Sequence, residues 1–394
     1  MVTTSSTPVR AALVYRPELA QASLRPDHPL KLDRPQRFRE LAEAYGLLQA
    51  PGVREVVPEP ATVEQVRAVH DAGYVEVVER LSAVPSAGRT VPEGVAARHG
   101  FSAAGDNPPF PGMFDYYRLV AGASLAAVQM VHEGAVDAAF NPAGGVNHHA
   151  QRSRASGFGV FNDAAIALAW LRAQGLRAAY VDLDVHHGDG VEAAFADTDE
   201  VLTISLHEST QFLFPGPSSG FAEQTGDGQG RGFAVNVPLA PYTDDTTWLW
   251  AFEQIVPPLL AAYQPDIVLT QLGADGYYND PLAHMQLTTH AYETAVHRLR
   301  ALAPRWAAVG GGGYDLAATV RIWTLAFAVM ADVELPDTLP TGDGNANDHG
   351  ALRDPPGSAP TADVRRQGTV RAFAEDSVHT VQRLVFPVHG ASSG

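Results

Sequence analysis

No cysteine occurs in the 394 residues, which removes disulfides, thiolate nucleophiles and thiolate metal ligands together. Any metal must be held by imidazole and carboxylate. Basic charge is also scarce: 27 Lys and Arg face 44 Asp and Glu, a formal net charge of −17. A field of that sign repels a nucleic-acid backbone or an anionic membrane and suits a basic or charge-neutralised partner. No run of about 18 apolar residues, the length a membrane-spanning helix needs, is present. The first residues, MVTTSSTPVR, lack the apolar centre of a secretory signal. A cytoplasmic location is expected. No internal repeat is found.

What is present is ample core material, with 45% hydrophobic residues, arranged as short β-branched runs between longer helical patterns. Strands are expected at 11–15, 137–141, 178–183, 201–206, 233–239, 266–272 and 306–310. Helices are expected at 116–134 and 161–175, each closed by a glycine, with Asn162 as the cap of the second. Apolar strands alternating with helices imply an α/β fold, a mostly parallel sheet with helices on both faces. The chain reads as a single domain over 1–394. Residues 1–9 are expected to be disordered, 336–368 to be a Pro/Gly-rich surface loop or linker, and 369–386 to be a C-terminal helix.

In such sheets ligands bind outside the carboxyl ends of the strands. Four expected strand ends carry chemically capable residues. PAGGVNHHA follows 137–141, DVHHGDG follows 178–183, GADGYYND follows 266–272 and GGGYD follows 306–310. Asp184 and His186 are two apart, so extended backbone would point both to one face. Asp275, from another strand end, is the natural third ligand of a catalytic divalent ion. This Asp/His/Asp set suits Zn²⁺ and would also suit Fe²⁺. The bland reading makes Asp184 and Asp189 loop caps and His186 a core histidine.

His148 and His149 offer what amide hydrolysis needs near neutral pH, a group to take a proton from water and one to return it to a leaving amine. Asp182 and Asp189 are available to hold their far nitrogens. An adjacent His pair reads equally as a loop feature or as a metal site. Tyr314, after Gly310–Gly313, is placed to donate to a developing oxyanion. The alternative is a tyrosine packed over the sheet edge.

Four blocks, GGVNHHAQRSRASGFGVFND, YVDLDVHHGDGVEAAF, QLGADGYYNDPL and GGGGYDLAATVRIWT, resemble the signature segments of the histone deacetylase family, specifically its bacterial acetoin-utilisation branch. The resemblance covers roughly residues 10–335, including DHPLKLDRPQRFRELAEAYGL and VHDAGYVEVV near the start. It implies an arginase-like fold and hydrolysis of N-ε-acetyl-lysine, in proteins or peptides, to lysine and acetate. By resemblance Asp184, His186 and Asp275 are the metal ligands and His149 the principal general base. His148 is its electrostatic partner, Asp182 and Asp189 are the carboxylates bonded to the pair, and Tyr314 polarises the acetyl carbonyl. Phe158 and Phe214, with Gly157, match the walls of the tunnel around the acyl-lysine stem, and Asp106 resembles the rim carboxylate. The family also has K⁺ or Na⁺ sites. One would use Asp182, Asp184, His186, Ser205 and Leu206, and the other Phe195, Thr198, Val201 and Phe233.

Two departures stand out. Asn147 is an apparent insertion beside the His pair, which puts the local backbone in question. Leu282 is apolar where polyamine-acting members carry an acid, which favours a peptidyl lysine over an acetylpolyamine, with other small amides left as an alternative substrate class. Two further readings remain. A two-metal ureohydrolase needs bridging carboxylates, yet Tyr277 stands two residues after Asp275. A catalytically dead acyl-lysine reader would be expected to lack a ligand, the His pair or the tyrosine.

Overall fold

Among the described residues, eight short strands build one sheet. They are β1 (Ala11–Val14), β2 (Val53–Val56), β3 (Ala138–Asn141), β4 (Ala178–Asp182), β5 (Val201–Glu208), β6 (Ala234–Leu239), β7 (Ile267–Gln271) and β8 (Trp306–Val309). Their order is β2-β1-β3-β8-β7-β4-β5-β6, and each neighbouring pair runs parallel. The computed structural model describes residues 10–83, 92–303, 305–340, 350–360 and 364–392. The expectation of disorder over 1–9 lies outside them. Among the described residues no helix is long and apolar enough to cross a membrane.

A parallel sheet must be covered on both faces, so alternate residues of one strand enter two different cores. In β1, Ala11 and Leu13 join one core while Ala12 and Val14 join the other; β8 divides the same way, Trp306 and Ala308 against Ala307 and Val309. Helices Arg34–Ala44, Asp245–Tyr263, Thr289–Leu302 and Leu316–Ala331 cover the first face. Helices Ala72–Ser82, Met113–His132 and Asp163–Ala173 cover the second. The ring of Phe38 lies edge-on to Phe140, Trp323 and Phe327, at 5.4, 6.5 and 6.0 Å. Full burial of one such aromatic is worth about 1.5–3 kcal/mol.

Seven strands coincide with those expected from the sequence. β2 was not expected, because Val53-Arg54-Glu55-Val56 places two charges in four half-exposed or exposed residues at the sheet edge. Pairing with β1, and not its own composition, makes it a strand. The helix signals hold locally: Asn162 accepts a hydrogen bond from Ala165 N at 3.0 Å, and Gly175 turns out of the helix at φ +74°.

The described parts of 336–368 differ from the loop expected there. The terminal helix runs Val364–Leu384, so it begins before residue 369. Its first turn is rich in Arg and Gln, good helix formers, and one internal glycine costs only about 1 kcal/mol. Nor are the described residues 350–360 a free linker. Asp354, 2% exposed, is fixed by the buried guanidinium of Arg321, whose Nη1 donates to Asp354 Oδ1 at 3.0 Å and whose Nη2 donates to the Tyr277 hydroxyl at 3.1 Å. Tyr277 donates in turn to Asp354 Oδ1 at 3.0 Å, and Thr289 N donates to Oδ2 at 2.9 Å. Polar sequence could not reveal this anchor, because its partner lies far away in an apolar helix. Asp354→Ala strands a buried Arg321 charge and is expected to lower the unfolding free energy by about 3–5 kcal/mol. Denaturant titration checks this, and a loss below about 1 kcal/mol, the value of an exposed pair, would contradict it.

His70 ties the second face to the loop after β3. Its Nδ1 donates to Gln151 O at 3.0 Å and its Nε2 accepts from Asn162 N at 2.9 Å, which fixes the neutral tautomer. Burial pushes its pKa down to about 4. Above about pH 6.5 both folded and unfolded forms are neutral and its contribution is complete. As pH falls from there toward 4 only the unfolded chain takes up the proton, so stability is lost, up to about 3 kcal/mol. The difference in unfolding free energy between wild type and His70→Gln, followed from pH 7 to 4, should shrink by that order. A pH-independent difference would refute the assignment.

Candidate active site and metal centre

β3, β8, β7 and β4 lie side by side in the middle of the sheet. Each hands one group of candidate side chains to the same carboxyl edge. Beyond β4 the backbone bends, and Asp184 and His186 meet Asp275 from the loop after β7. One ligand atom from each lies within 4.8 Å of the others, and all three residues are buried. His186 Nδ1 is 3.1 Å from Asp184 Oδ1 and 3.0 Å from Asp275 Oδ2.

The remaining carboxylate oxygens are taken. Asp184 Oδ2 accepts from Gln271 Nε2 at 2.6 Å and Gly312 N at 2.8 Å, while Asp275 Oδ1 accepts from Val185 N at 2.9 Å. Asp184 Oδ1, which also accepts from His186 N at 3.0 Å, and Asp275 Oδ2 face one another across His186. Burial and the Asp184 charge raise the Asp275 pKa to about 6. Two buried carboxylates and an imidazole thus converge, and among the described residues no Lys or Arg is hydrogen-bonded to either carboxylate. The donor set therefore fits a divalent cation. A side chain at residue 312 would overlap Asp275 Oδ2, which explains why that position is glycine.

Val146–His149 forms a single 3₁₀ turn entered through Gly145 at φ +84°. This turn accommodates Asn147, whose amide points inward, donating to Asp163 Oδ1 at 2.9 Å and accepting from Val160 N at 3.1 Å. Both histidines reach their expected carboxylates: His148 Nδ1 is 2.9 Å from Asp182 Oδ2, and His149 Nδ1 is 2.6 Å from Asp189 Oδ1. Their rings are 4.0 Å apart. Burial opposes charge on both, yet the outcomes diverge. The carboxylates of Asp184 and Asp182 overcome burial at His148 and hold its pKa at about 9. At His149 burial is reinforced by His148, and its pKa falls to about 4. One imidazole is thus charged and the other neutral at pH 7.

Above this polar floor stand two aromatic walls. Phe214 lies 4.8 Å from His149 and 6.4 Å from His186, and Phe158 lies 5.7 Å from Tyr314, ring centre to ring centre. Phe158 holds φ +69°, a left-handed backbone unusual for a bulky residue, directly after Gly157 at φ +50°. A Cβ at Gly157 would overlap the His149 ring. Asp106 is exposed, and its carbonyl contacts His28 Nε2 at 3.0 Å, while the His28 ring packs 4.8 Å from Phe158. Leu282 is half-buried on the loop after β7. Burial, then Asp275 and Asp184, keep the Tyr314 phenol well above its usual pKa, so it remains a proton-bearing donor. Sheet register sets Asp182 beside Ser205, with Leu206 next along β5. The other residues of the second cation set flank it: Thr198 N bonds Phe195 O at 3.2 Å, Val201 starts β5, and Phe233 O accepts from Thr203 N at 2.9 Å.

Several supports were missed in the sequence. Gln271 on Asp184, Gln151 Nε2 on Asp189 Oδ2 (2.8 Å), the Tyr180 hydroxyl on Asp182 Oδ2 (2.8 Å) and Arg34 Nη1 on Gly313 O (2.9 Å) all brace the site from behind. Gln271 and Tyr180 had a signal, being polar groups inside apolar strands. Arg34 had none, since its partner is a backbone carbonyl far along the chain.

A doubly covered parallel sheet with a carboxylate–imidazole metal centre and a carboxylate-held histidine pair at its carboxyl edge defines a metal-dependent hydrolase of α/β architecture. The chain belongs to the histone deacetylase family: the family's histone deacetylase domain matches residues 28–330. It is 32% identical over 337 residues to the acetoin utilization protein AcuC of Bacillus subtilis, covering 84% of each chain. It is 35% identical over 328 residues to histone deacetylase 8 of Danio rerio, covering 83% of each. Among solved structures it resembles a histone deacetylase homologue from Aquifex aeolicus (TM-score 0.82, 29% identity, 95% of this chain and all of that one). A histone deacetylase homologue complexed with SAHA gives a TM-score of 0.80 at 29% identity, covering 94% of this chain and all of that one.

Proposed function

We propose that this protein removes acetyl groups from N-ε-acetyl-lysine in proteins or peptides, releasing acetate. The observation that carries the reading is the convergence of Asp184, His186 and Asp275 beside a histidine pair whose far nitrogens are held by Asp182 and Asp189. The ligand set would hold Zn²⁺, with Fe²⁺ the alternative. When bound, such a cation supplies Lewis-acid polarisation of the amide carbonyl and a lowered pKa for water.

The chain's own groups do the rest. His149, neutral at pH 7, takes a proton from the attacking water at Nε2 while Asp189 fixes its Nδ1. His148, held charged by Asp182 and Asp184, stabilises the negative charge that develops. Tyr314 donates its hydroxyl to the oxygen that becomes anionic as the amide carbon turns tetrahedral. The C–N bond then breaks, and the proton held on the pair passes to the lysine Nζ. Phe158, Phe214 and Gly157 sheathe the apolar four-carbon stem, Leu282 keeps the entrance free of a second negative charge, and Asp106 meets the substrate backbone at the rim. K⁺ or Na⁺ would be held by the two residue sets around the β4–β5 ends. A cytoplasmic location is part of the same reading.

Purified protein assayed on acetyl-lysine peptides and on acetylpolyamines, with and without chelator, tests this. Chelator-sensitive release of acetate from the peptide, with close to one divalent ion per chain, is the expected result. Preference for the polyamine, two ions with urea-forming activity, or tight peptide binding without turnover would each replace the proposal.

A further inference from the structure

Tyr314 leaves β8 through four glycines, two of which, Gly311 and Gly313, sit at φ +146° and +130°. The arch has no side chains and is held through its backbone, Gly312 N donating to Asp184 Oδ2 at 2.8 Å and Gly313 O accepting from Arg34 Nη1 at 2.9 Å, bonds that stop short of Tyr314 itself. Downstream the chain is firm: Asp315 caps helix Leu316–Ala331, its Oδ1 accepting from Ala318 N at 3.0 Å. Tyr314 lies between this arch and the helix cap. Its own backbone N donates to Asp280 Oδ2 at 2.7 Å, and Asp315 N donates to the same oxygen at 3.3 Å. The other oxygen, Oδ1, accepts from Leu282 N at 2.9 Å. Asp280 is 7% exposed, and among the described residues its hydrogen-bond partners are the backbone amides of Leu282, Tyr314 and Asp315. A second tie runs alongside, Asn279 Nδ2 to Asp315 Oδ2 at 3.0 Å.

The loop that begins at Asp275 is therefore clasped to the loop that carries Tyr314. We propose that Asp280 is a positioning residue, which sets the phenol of Tyr314 relative to the metal-ligand loop and ties it to the backbone of Leu282. It touches neither substrate nor metal. This inference rests on the deacetylase reading of the site and specifies which buried carboxylate makes the tyrosine effective.

Asp280→Asn preserves shape but leaves one acceptor oxygen in place of two, so one set of amide bonds is lost. With an acetyl-lysine peptide, kcat should fall on the order of 10- to 100-fold, the scale of an ångström-level misplacement, with KM and metal content little changed. In a Tyr314→Phe background the same substitution should change kcat by no more than about twofold, because two residues acting through one hydroxyl are non-additive. Asn279→Ala, at an exposed position that folding tolerates, should give a smaller kcat loss that likewise disappears in the Tyr314→Phe background. Equal losses in both backgrounds would make Asp280 a loop brace and overturn the proposal, as would unchanged kcat in Asp280→Asn. Full activity in Tyr314→Phe alone would instead overturn the reading of the site, and the two failures are thereby separate.

Discussion

Tyr314→Phe is expected to lower kcat on an acetyl-lysine peptide by about 100- to 1000-fold, the usual cost of one oxyanion donor. The substitution removes a single oxygen. The ring still faces Phe158, the backbone amide still reaches Asp280, and none of the three ligand side chains is disturbed. Metal content and KM should therefore stay close to wild type while kcat and kcat/KM fall together, the pattern of an interaction made only in the transition state. A variant with full turnover would remove Tyr314 from the mechanism.

Asp275 is expected to give the second large effect, through a different channel. Its carboxylate supplies both a ligand oxygen and the acceptor for Val185 N, and Val185 stands between the other two ligands. Asp275→Ala should lose the metal and the activity together, and the unpaired buried amide adds about 1–3 kcal/mol of destabilisation. Asp275→Asn separates the two consequences: the amide oxygen can keep the Val185 bond, yet the site loses one of its two negative charges. Metal analysis after dialysis and thermal melting, run in parallel, should show Asn close to wild type in stability but depleted of metal. Metal retained at wild-type level in both variants would mean that another residue is the third ligand.

The parts of this site that lie within a few residues of a strand end were legible in the sequence. His148, His149, Asp184, His186, Asp189, Asp275 and Tyr314 follow apolar runs whose strand character is unambiguous, and the rule that ligands bind at carboxyl ends placed them together. The spacing argument for Asp184 and His186 assumed extended backbone, whereas the chain bends there; convergence on Asp275 comes from the bend. Asp280, Gln151 and Arg34 were illegible for a common reason. Each works through a hydrogen bond to a group whose proximity only the finished topology creates. The same holds for Arg321 and Asp354: a charged residue in an apolar helix pattern and an aspartate in a Pro/Gly-rich stretch give no hint of one another. β2 was hidden because an edge strand can be half charged, its pairing supplied by a neighbour.

The strand order also bears on how the chain is made. During synthesis β3 and β4 emerge well before β7 and β8, yet in the finished sheet the later pair is inserted between the earlier pair. A nascent polypeptide halted before residue 267 lacks β7 and β8, so β3 and β4 would each be left without the neighbour that covers that edge in the finished sheet, the kind of surface that aggregates. The catalytic groups come together only when that gap closes, so the recovery of activity on refolding should report the last step of sheet assembly and trail the appearance of helical signal.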